Sequence, residues 1–520
     1  MPLPEIRRWE DRTMEQLSPM DASFLYFETA NAPMHIGGLT IYDQSTVEGG
    51  VLGFKRILEN YETRLHLARS FRQRVVRVPM SLDHPYWIED PNFDIEFHVR
   101  HIALPKPGNW RQLCIQVARL HARALDTSRP LWEFTVIEGL DQVEGLPAGS
   151  FGIMSKIHHA AIDGVSGAEI VAAIHDIAPD ARPAPPEKPW VPERDPNVLE
   201  LLSRTYVNNL RQPFKLAGVV ASSVPALAKV GIGLTAGKLK TAGPVPRTRF
   251  NSHISPHRVF DGRSFPLADI RAMKSAVEGA TVNDVIVTIV GGAMRKYLES
   301  KSELPKDSLI AMAPISVRSD DKRKAAGNLV SGMMLAIRTD IADPSERLTA
   351  VFQATKSSKE LTNAIGAKTL SDYSQFIPST MSGLAARLYS NLGIANRIKP
   401  FFNTVITNVP GPQIPLYMTG ARMVTHFGLA PILDGMGIIH PIFSYCGQIT
   451  VSFTACREMM PDPDFYAECI QSSFDELKAA ATAAAAPAVL KPATGPRMKA
   501  GARKAAGAAK APKRAAKLTA

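Results

Sequence analysis

Between Ala178 and Asn197 the chain carries seven prolines in twenty residues. Proline has no backbone N–H and a fixed φ, so neither a helix nor a central strand can run through such a stretch. A 520-residue chain interrupted in this way reads as two bodies and a linker. On either side the pattern is of one kind. From about Leu17 to Asp176 short apolar runs alternate with helical stretches, Met34–Tyr42 reading as a strand and Gln112–Leu125 as a helix. The alternation resumes near Ser264 and lasts to about Lys478, with a helix over Thr281–Ser300 and strands at Ser308–Ile315 and Ile449–Thr454. In the last of these, Ile449, Val451 and Phe453 alternate with Thr450, Ser452 and Thr454, the period of a half-buried strand. The expected class is α/β in two halves: residues 1–178, a Pro-rich linker and apolar connector over 179–245, a second half over 246–478, and a tail over 479–520.

Charge bears on partners only through its placement. The net charge is +11, but residues 479–520 hold nine Lys and Arg and no Asp or Glu, which leaves +2 for the body. No specific nucleic-acid partner is therefore expected. The Ala/Lys/Pro-rich tail has almost nothing to bury and is expected to be disordered, either a solubilising extension or one attracted to anionic lipid headgroups or nucleic acid. With 45% hydrophobic and 21% charged residues, the whole chain is neither disordered nor a fibrous repeat. Cys114, Cys446, Cys456 and Cys469 show no metal or disulfide spacing and read as small buried hydrophobes in a reducing compartment. The N-terminus has no apolar signal core, so secretion is not expected. No stretch reads as a membrane span. Phe214–Leu234, apolar but broken by Lys215, Pro225, Lys229 and several glycines, reads as a helical surface segment or connector that could lie against lipid.

The chemistry concentrates in Ser150–Ile170, SFGIMSKIHHAAIDGVSGAEI. An apolar strand runs into His158 and His159, and Asp163-Gly164 follows at the start of a helical pattern. Neighbouring side chains on a strand face opposite ways, so His158 and His159 cannot share one metal ion, and a third ligand is missing. The same alternation puts Phe151, Ile153, Ile157 and His159 on one face and Lys156 and His158 on the other. Imidazole takes up a proton near neutral pH, so His159, on the apolar face, is the better candidate for a general base. His158 and Asp163 are supporting groups; Asp163 can equally be a helix cap and Gly164 a permissive backbone position. No GxSxG elbow is present. Gly231-Ile232-Gly233 lacks the strand and acidic residue of a dinucleotide site.

The segment His158-His159-Ala160-Ala161-Ile162-Asp163-Gly164 matches the HHxxxDG motif of coenzyme A-dependent acyltransferases. With Pro19-Met20-Asp21, Arg129-Pro130-Leu131-Trp132-Glu133, Asn283-Asp284-Val285, Pro314-Ile315-Ser316-Val317-Arg318, Gly327-Asn328 and Asn408-Val409-Pro410-Gly411-Pro412, the chain resembles the bacterial wax ester synthase/diacylglycerol acyltransferase family over about residues 14–478. The resemblance implies two chloramphenicol-acetyltransferase-like halves with a channel between them and His159 as the base. It implies supporting positions at Gly164, Asn283, Asp284 and Arg318, the last as a partner for Asp163. Asn283 and Asp284 can equally cap a buried helix, and Trp132 reads as core. The implied reaction joins acyl-coenzyme A, as substrate and not as cofactor, to diacylglycerol or a long-chain alcohol, with no metal. It also implies a cytoplasmic protein peripheral to the membrane's inner face or to lipid droplets. Rival readings are an acyltransferase or condensation enzyme for another alcohol or a carrier-bound substrate, and a noncatalytic lipid-binding protein. Oligomeric state is not legible.

Overall fold

The computed structural model describes residues 14–162, 173–181, 194–208, 242–316, 330–365 and 394–485. Most of the Pro-rich linker, the Phe214–Leu234 segment and the tail lie outside these residues.

The expected elements form with small shifts of their ends: strands His35–Asp43, Ile310–Ser316 and Gln448–Cys456, and helices Trp110–His121 and Val282–Ser300. The helix Trp110–His121 starts where it does because Asn109 and Gln112 close a capping box over its free N–H groups. Thr281 and Asp284 do the same for Val282–Ser300. That second helix is apolar nearly all round, and its residues Val285, Ile286, Val287, Ile289 and Val290 are wholly buried.

Two six-stranded sheets carry the fold. The first runs in the order Tyr417–Met418, Ala421–Leu429, His35–Asp43, Phe151–His158, Trp132–Glu138 and Val99–Ala103. The second runs Val330–Ala336, Ile310–Ser316, Thr404–Pro410, Ile438–Tyr445, Gln448–Cys456 and Arg258–Pro266. Helices Val282–Ser300, Pro344–Ile365 and Pro463–Ala485 cover one face of the second sheet around a single apolar cluster. Helix Trp110–His121 packs on one face of the first sheet through Leu113 and Val117 against Leu39, Ile41 and Met154. Towards the opposite face lies a separate cluster around Trp132, which is 2% exposed and donates from Nε1 to Phe71 O at 2.9 Å.

One hairpin from the second half of the chain crosses over. Ala421–Leu429 pairs antiparallel with His35–Asp43, His426 lying opposite Thr40 and Gly428 opposite Gly38. The crossing strand also lies against the second sheet. The Thr450 and Ser452 hydroxyls donate to the carbonyls of His426 and Gly428, each at 2.7 Å. The polar face of Gln448–Cys456 is thus buried against its neighbour, with Thr450, Ser452 and Thr454 all at most 3% exposed. The half-buried strand expected from its alternation is buried on both faces, because the Thr450 and Ser452 hydroxyls find carbonyl acceptors instead of water. At the same crossing, Gly262 has no room for a side chain: a Cβ there would stand 2.9 Å from the Phe427 ring.

All four cysteines are free thiols. Cys114, Cys456 and Cys469 are buried, but Cys446 is exposed, against expectation. It occupies the tight turn between Ile438–Tyr445 and Gln448–Cys456 with φ +42.

The seam can be tested by overfilling it. Gly262→Leu drives a side chain into Phe427 and is expected to lower stability by about 1–3 kcal/mol, read as an earlier midpoint in urea unfolding. An unchanged midpoint would show that the crossing strand is not tightly held there.

Candidate active site

A cavity of about 600 Å³ lies between the two sheets. One wall comes from the first sheet through Ile36, Gly38, Ile153 and Ile157. The other comes from the second through Met312, Val405, Thr407 and Pro441. Its lining is mostly apolar, so the few polar side chains that reach it stand out. His159 is one, with Thr40, His175 and His426 among the others.

His159 follows directly on the strand Phe151–His158 and opens a short 3-10 turn, His159–Ala161. Its N–H donates to Met34 O at 2.8 Å, which continues the pairing with the neighbouring strand by one residue. The ring stacks on Phe24 of the helix Pro19–Phe27, centroids 3.8 Å apart and planes 14° from parallel. Its Nδ1 is buried with no separate partner. Burial in this apolar setting pulls the imidazole down to about 4, only partly offset by the contact with its own backbone. His159 is therefore neutral at pH 7, as a proton acceptor must be.

His158 faces the other way, as strand alternation requires. It is fully buried. Its Nδ1 accepts from the Ala160 N–H at 3.1 Å, capping the turn that carries His159. A ring nitrogen that accepts leaves the proton on the other, here Nε2, which stands 3.6 Å from Glu28 Oε2. Lys156, on the same face as His158, is buried, pairs with Glu133 at 3.1 Å and donates to Arg123 O at 3.0 Å.

Asp163, Gly164 and Arg318 fall outside the described residues, and so does any pairing of Asp163 with Arg318. Asn283 and Asp284 do not line the cavity. Asp284 Oδ2 accepts from the Thr281 N–H and hydroxyl at 2.8 and 2.7 Å, so its carboxylate holds the start of the buried helix. Pro314 and Val409, from two of the remaining motifs, do reach the cavity. Among the described residues no three His, Cys, Asp or Glu side chains come together as metal ligands would.

The structure adds groups the sequence did not single out. His426, from the crossing strand, is drawn down to about 4 by burial. Its Nδ1 lies 2.8 Å from Thr40 Oγ1. His175 Nε2 lies 2.7 Å from the Tyr42 hydroxyl. Phe24 and Glu28, at the end of the first helix, flank the two histidines. Lone residues far apart in sequence give no spacing signal; only Met20, inside the Pro19-Met20-Asp21 motif, pointed to this helix.

Comparison with known proteins points to one family. The wax ester synthase/diacylglycerol acyltransferase catalytic domain matches residues 17–286, and the C-terminal domain of the same family matches residues 326–478. A putative diacylglycerol O-acyltransferase of Mycobacterium tuberculosis (strain CDC 1551 / Oshkosh) is 33% identical over 474 residues, covering 89% of this chain and 91% of that protein. A second from the same strain is 32% identical over 490 residues, covering 91% and 99%. Among solved structures, the wax ester synthase/diacylglycerol acyltransferase from Marinobacter aquaeolei VT8 superposes with a TM-score of 0.63 at 27% identity, covering 90% of this chain and all of that one. The starter condensation domain of rhizomide synthetase shares the fold alone, with a TM-score of 0.50 at 13% identity over 90% and 95% of the two chains. A neutral histidine on an apolar cavity between two sheets, and a match to both family domains in chain order, lead to one conclusion: the chain belongs to the wax ester synthase/diacylglycerol acyltransferase family.

Proposed function

We propose that the protein transfers a long-chain acyl group from acyl-coenzyme A to the hydroxyl of diacylglycerol or of a long-chain alcohol, with His159 as the general base. The observation that carries this reading is the placement of His159 on the apolar cavity, in the neutral form, with its Nδ1 buried. The relatives bear the name of diacylglycerol O-acyltransferase, which favours diacylglycerol as an acceptor.

The chemistry follows from that placement. With the proton on Nδ1, Nε2 offers a lone pair to the acceptor hydroxyl. The hydroxyl oxygen attacks the thioester carbonyl while Nε2 takes its proton. The tetrahedral intermediate then collapses, the C–S bond breaks, and the coenzyme A thiolate recovers the proton from His159. A thiol with a pKa near ~8.5 is a good leaving group, so no covalent acyl-enzyme is required. His158 and Asp163 are supporting groups in this reading, His158 by capping the turn. Gly164, Asn283, Asp284 and Arg318 are supporting motif positions in this reading, Arg318 as a partner for Asp163; for Asp284 the capping contacts support a structural role.

The cavity suits long chains. From Met34, which binds the His159 backbone, to Thr40, opposite His426, the strand advances six residues, about 20 Å at 3.3 Å per residue. Ile36, Gly38, Ile153 and Ile157 lie along the way. Among the described residues no helix is long and apolar enough to cross a membrane, and the proposed acceptors, diacylglycerol and long-chain alcohols, are insoluble in water. We therefore place the protein at the inner membrane face or on lipid droplets as a peripheral protein, with residues 1–178 and 246–478 as its two working halves.

Two measurements test the reading. With palmitoyl-coenzyme A, purified protein is expected to release free thiol only when diacylglycerol or hexadecanol is supplied. His159→Ala is expected to cut that release at least about a hundredfold, the usual span for a general base, with an unchanged circular dichroism spectrum; wild-type turnover in the variant would rule His159 out. In a pH series, kcat/KM is expected to stay level from pH 8 to about 5 and to fall towards pH 4, where protonation of His159 removes the lone pair. An acid limb centred near 6.5, in protein still folded, would show that the base is not desolvated in this way.

A further inference from the structure

The segment that joins the short turn Ile394–Asn396 to the strand Thr404–Pro410 carries the sequence Arg397-Ile398-Lys399-Pro400-Phe401-Phe402. Its side chains are arranged against the ordinary rule for a soluble surface. Phe401 is 74% exposed and Ile398 37%. Arg397 and Lys399 are exposed beside them, and neither forms an ion pair with any described residue. An adjoining groove of about 430 Å³ is lined by Arg397, Ile398 and Lys399 together with Pro244, Val245 and Arg247, and every charge in its lining is positive.

The segment is held in this shape by its backbone. Arg247 donates from Nη1 to Asn251 O at 2.8 Å and from Nη2 to Ala395 O at 3.0 Å and to Ile398 O. Asn396 Oδ1 accepts from the His253 N–H at 3.1 Å, and Asn251 Nδ2 donates to Phe402 O at 3.0 Å. The carbonyls of Ala395, Ile398 and Phe402 are thus occupied from within, while the Ile398 and Phe401 side chains face outward. The next residue, Phe402, turns inward and lines the acyl-transfer cavity beside Leu433 and Met436. One short segment thus shows two aromatic rings to two apolar spaces, one inside the protein and one outside it.

We propose that Arg397–Phe401 is the edge by which the protein docks on an anionic lipid surface. Phe401 and Ile398 enter the acyl layer, and Arg397 and Lys399 meet lipid phosphates. Apolar side chains flanked by cations and no acid fit such a surface. A protein partner with an apolar patch would not account for two exposed cations that have no ion-pair partner among the described residues. Docking there sets the cavity wall at Phe402 against the layer that holds the acceptor, so this inference rests on the reading that the cavity takes lipid alcohols.

The full chain would be mixed with vesicles of phosphatidylcholine, with and without phosphatidylglycerol, and floated. Phe401→Ser is expected to lower partition onto anionic vesicles about tenfold, the effect of losing one buried apolar group, and the pair Arg397→Glu with Lys399→Glu at least about thirtyfold, since two attracting charges are reversed. Because the basic tail can bind anionic vesicles by charge alone, Phe401→Trp supplies a local readout. It is expected to add tryptophan emission that brominated acyl chains quench. Binding without added quenching, or partition unchanged in both charge and Phe401 variants, overturns the proposal. Turnover on hexanol in solution separates the two readings. The variants are expected to keep it while losing turnover on diacylglycerol in vesicles. Lost hexanol turnover with a raised KM for acyl-coenzyme A would reassign the cations to that substrate's phosphates and overturn docking. If the wild type turned over no acceptor yet its vesicle binding fell in the variants, docking would stand and the enzymatic reading would fail.

Discussion

Two hydroxyl-to-carbonyl hydrogen bonds, Thr450 to His426 and Ser452 to Gly428, hold the place where the halves of this protein meet. Each is an ordinary contact, worth about 1 kcal/mol net. What they decide is geometric. The strand Ala421–Leu429 belongs to the first sheet by its ladder with His35–Asp43, and to the second half by its position in the chain. Anchored to both, it keeps the sheets close on one side and leaves them parted elsewhere. The parted region is the cavity, which explains why its lining draws on both halves. A carbonyl left without a partner at this seam would be a buried polar group without water, and the cost of that vacancy fixes serine and threonine where an apolar strand would otherwise have valine.

The same geometry divides the labour of the two histidines. Adjacent residues at the end of a strand must face apart, so one imidazole meets the cavity and the other enters the protein. His158 caps the turn through Ala160, and His159 is held between its ladder bond to Met34 and its stack on Phe24. Neither arrangement uses a carboxylate in direct contact with the His159 ring among the described residues. What tunes His159 is burial, which lowers its basicity and keeps it neutral.

Much of this was legible in the sequence. The strand period placed His159 and His158 on opposite faces, and Asn283 and Asp284, read as possible caps of a buried helix, stand at the start of one, where Asp284 closes the capping box with Thr281. The crossing hairpin was not legible. Nothing in the sequence of Ala421–Leu429 says which sheet it joins, because pairing across nearly four hundred residues leaves no local pattern. The polar face of Gln448–Cys456 illustrates the same limit: alternation shows that two faces differ, and cannot tell water from the carbonyls of a neighbouring strand. His426 and His175 entered the cavity unannounced for this reason, since each is placed by long-range contacts with Thr40 and Tyr42.

A dry cavity serves acyl transfer in a way that a basic one could not. Water competes with the acceptor for a thioester, and an apolar lining excludes it. In the proposed mechanism the same exclusion weakens His159 as a base, because the imidazolium that would form has little around it to replace water. The two effects are compatible when proton removal is not a separate step. If Nε2 takes the proton only as the hydroxyl oxygen bonds to the carbonyl, no free alkoxide is formed. The imidazolium then stands beside the developing oxyanion, and at low effective dielectric their attraction grows as solvation falls. A neutral histidine in an apolar chamber is then best suited to transfers in which charge appears in pairs, and acyl transfer from a thioester to an alcohol is such a reaction.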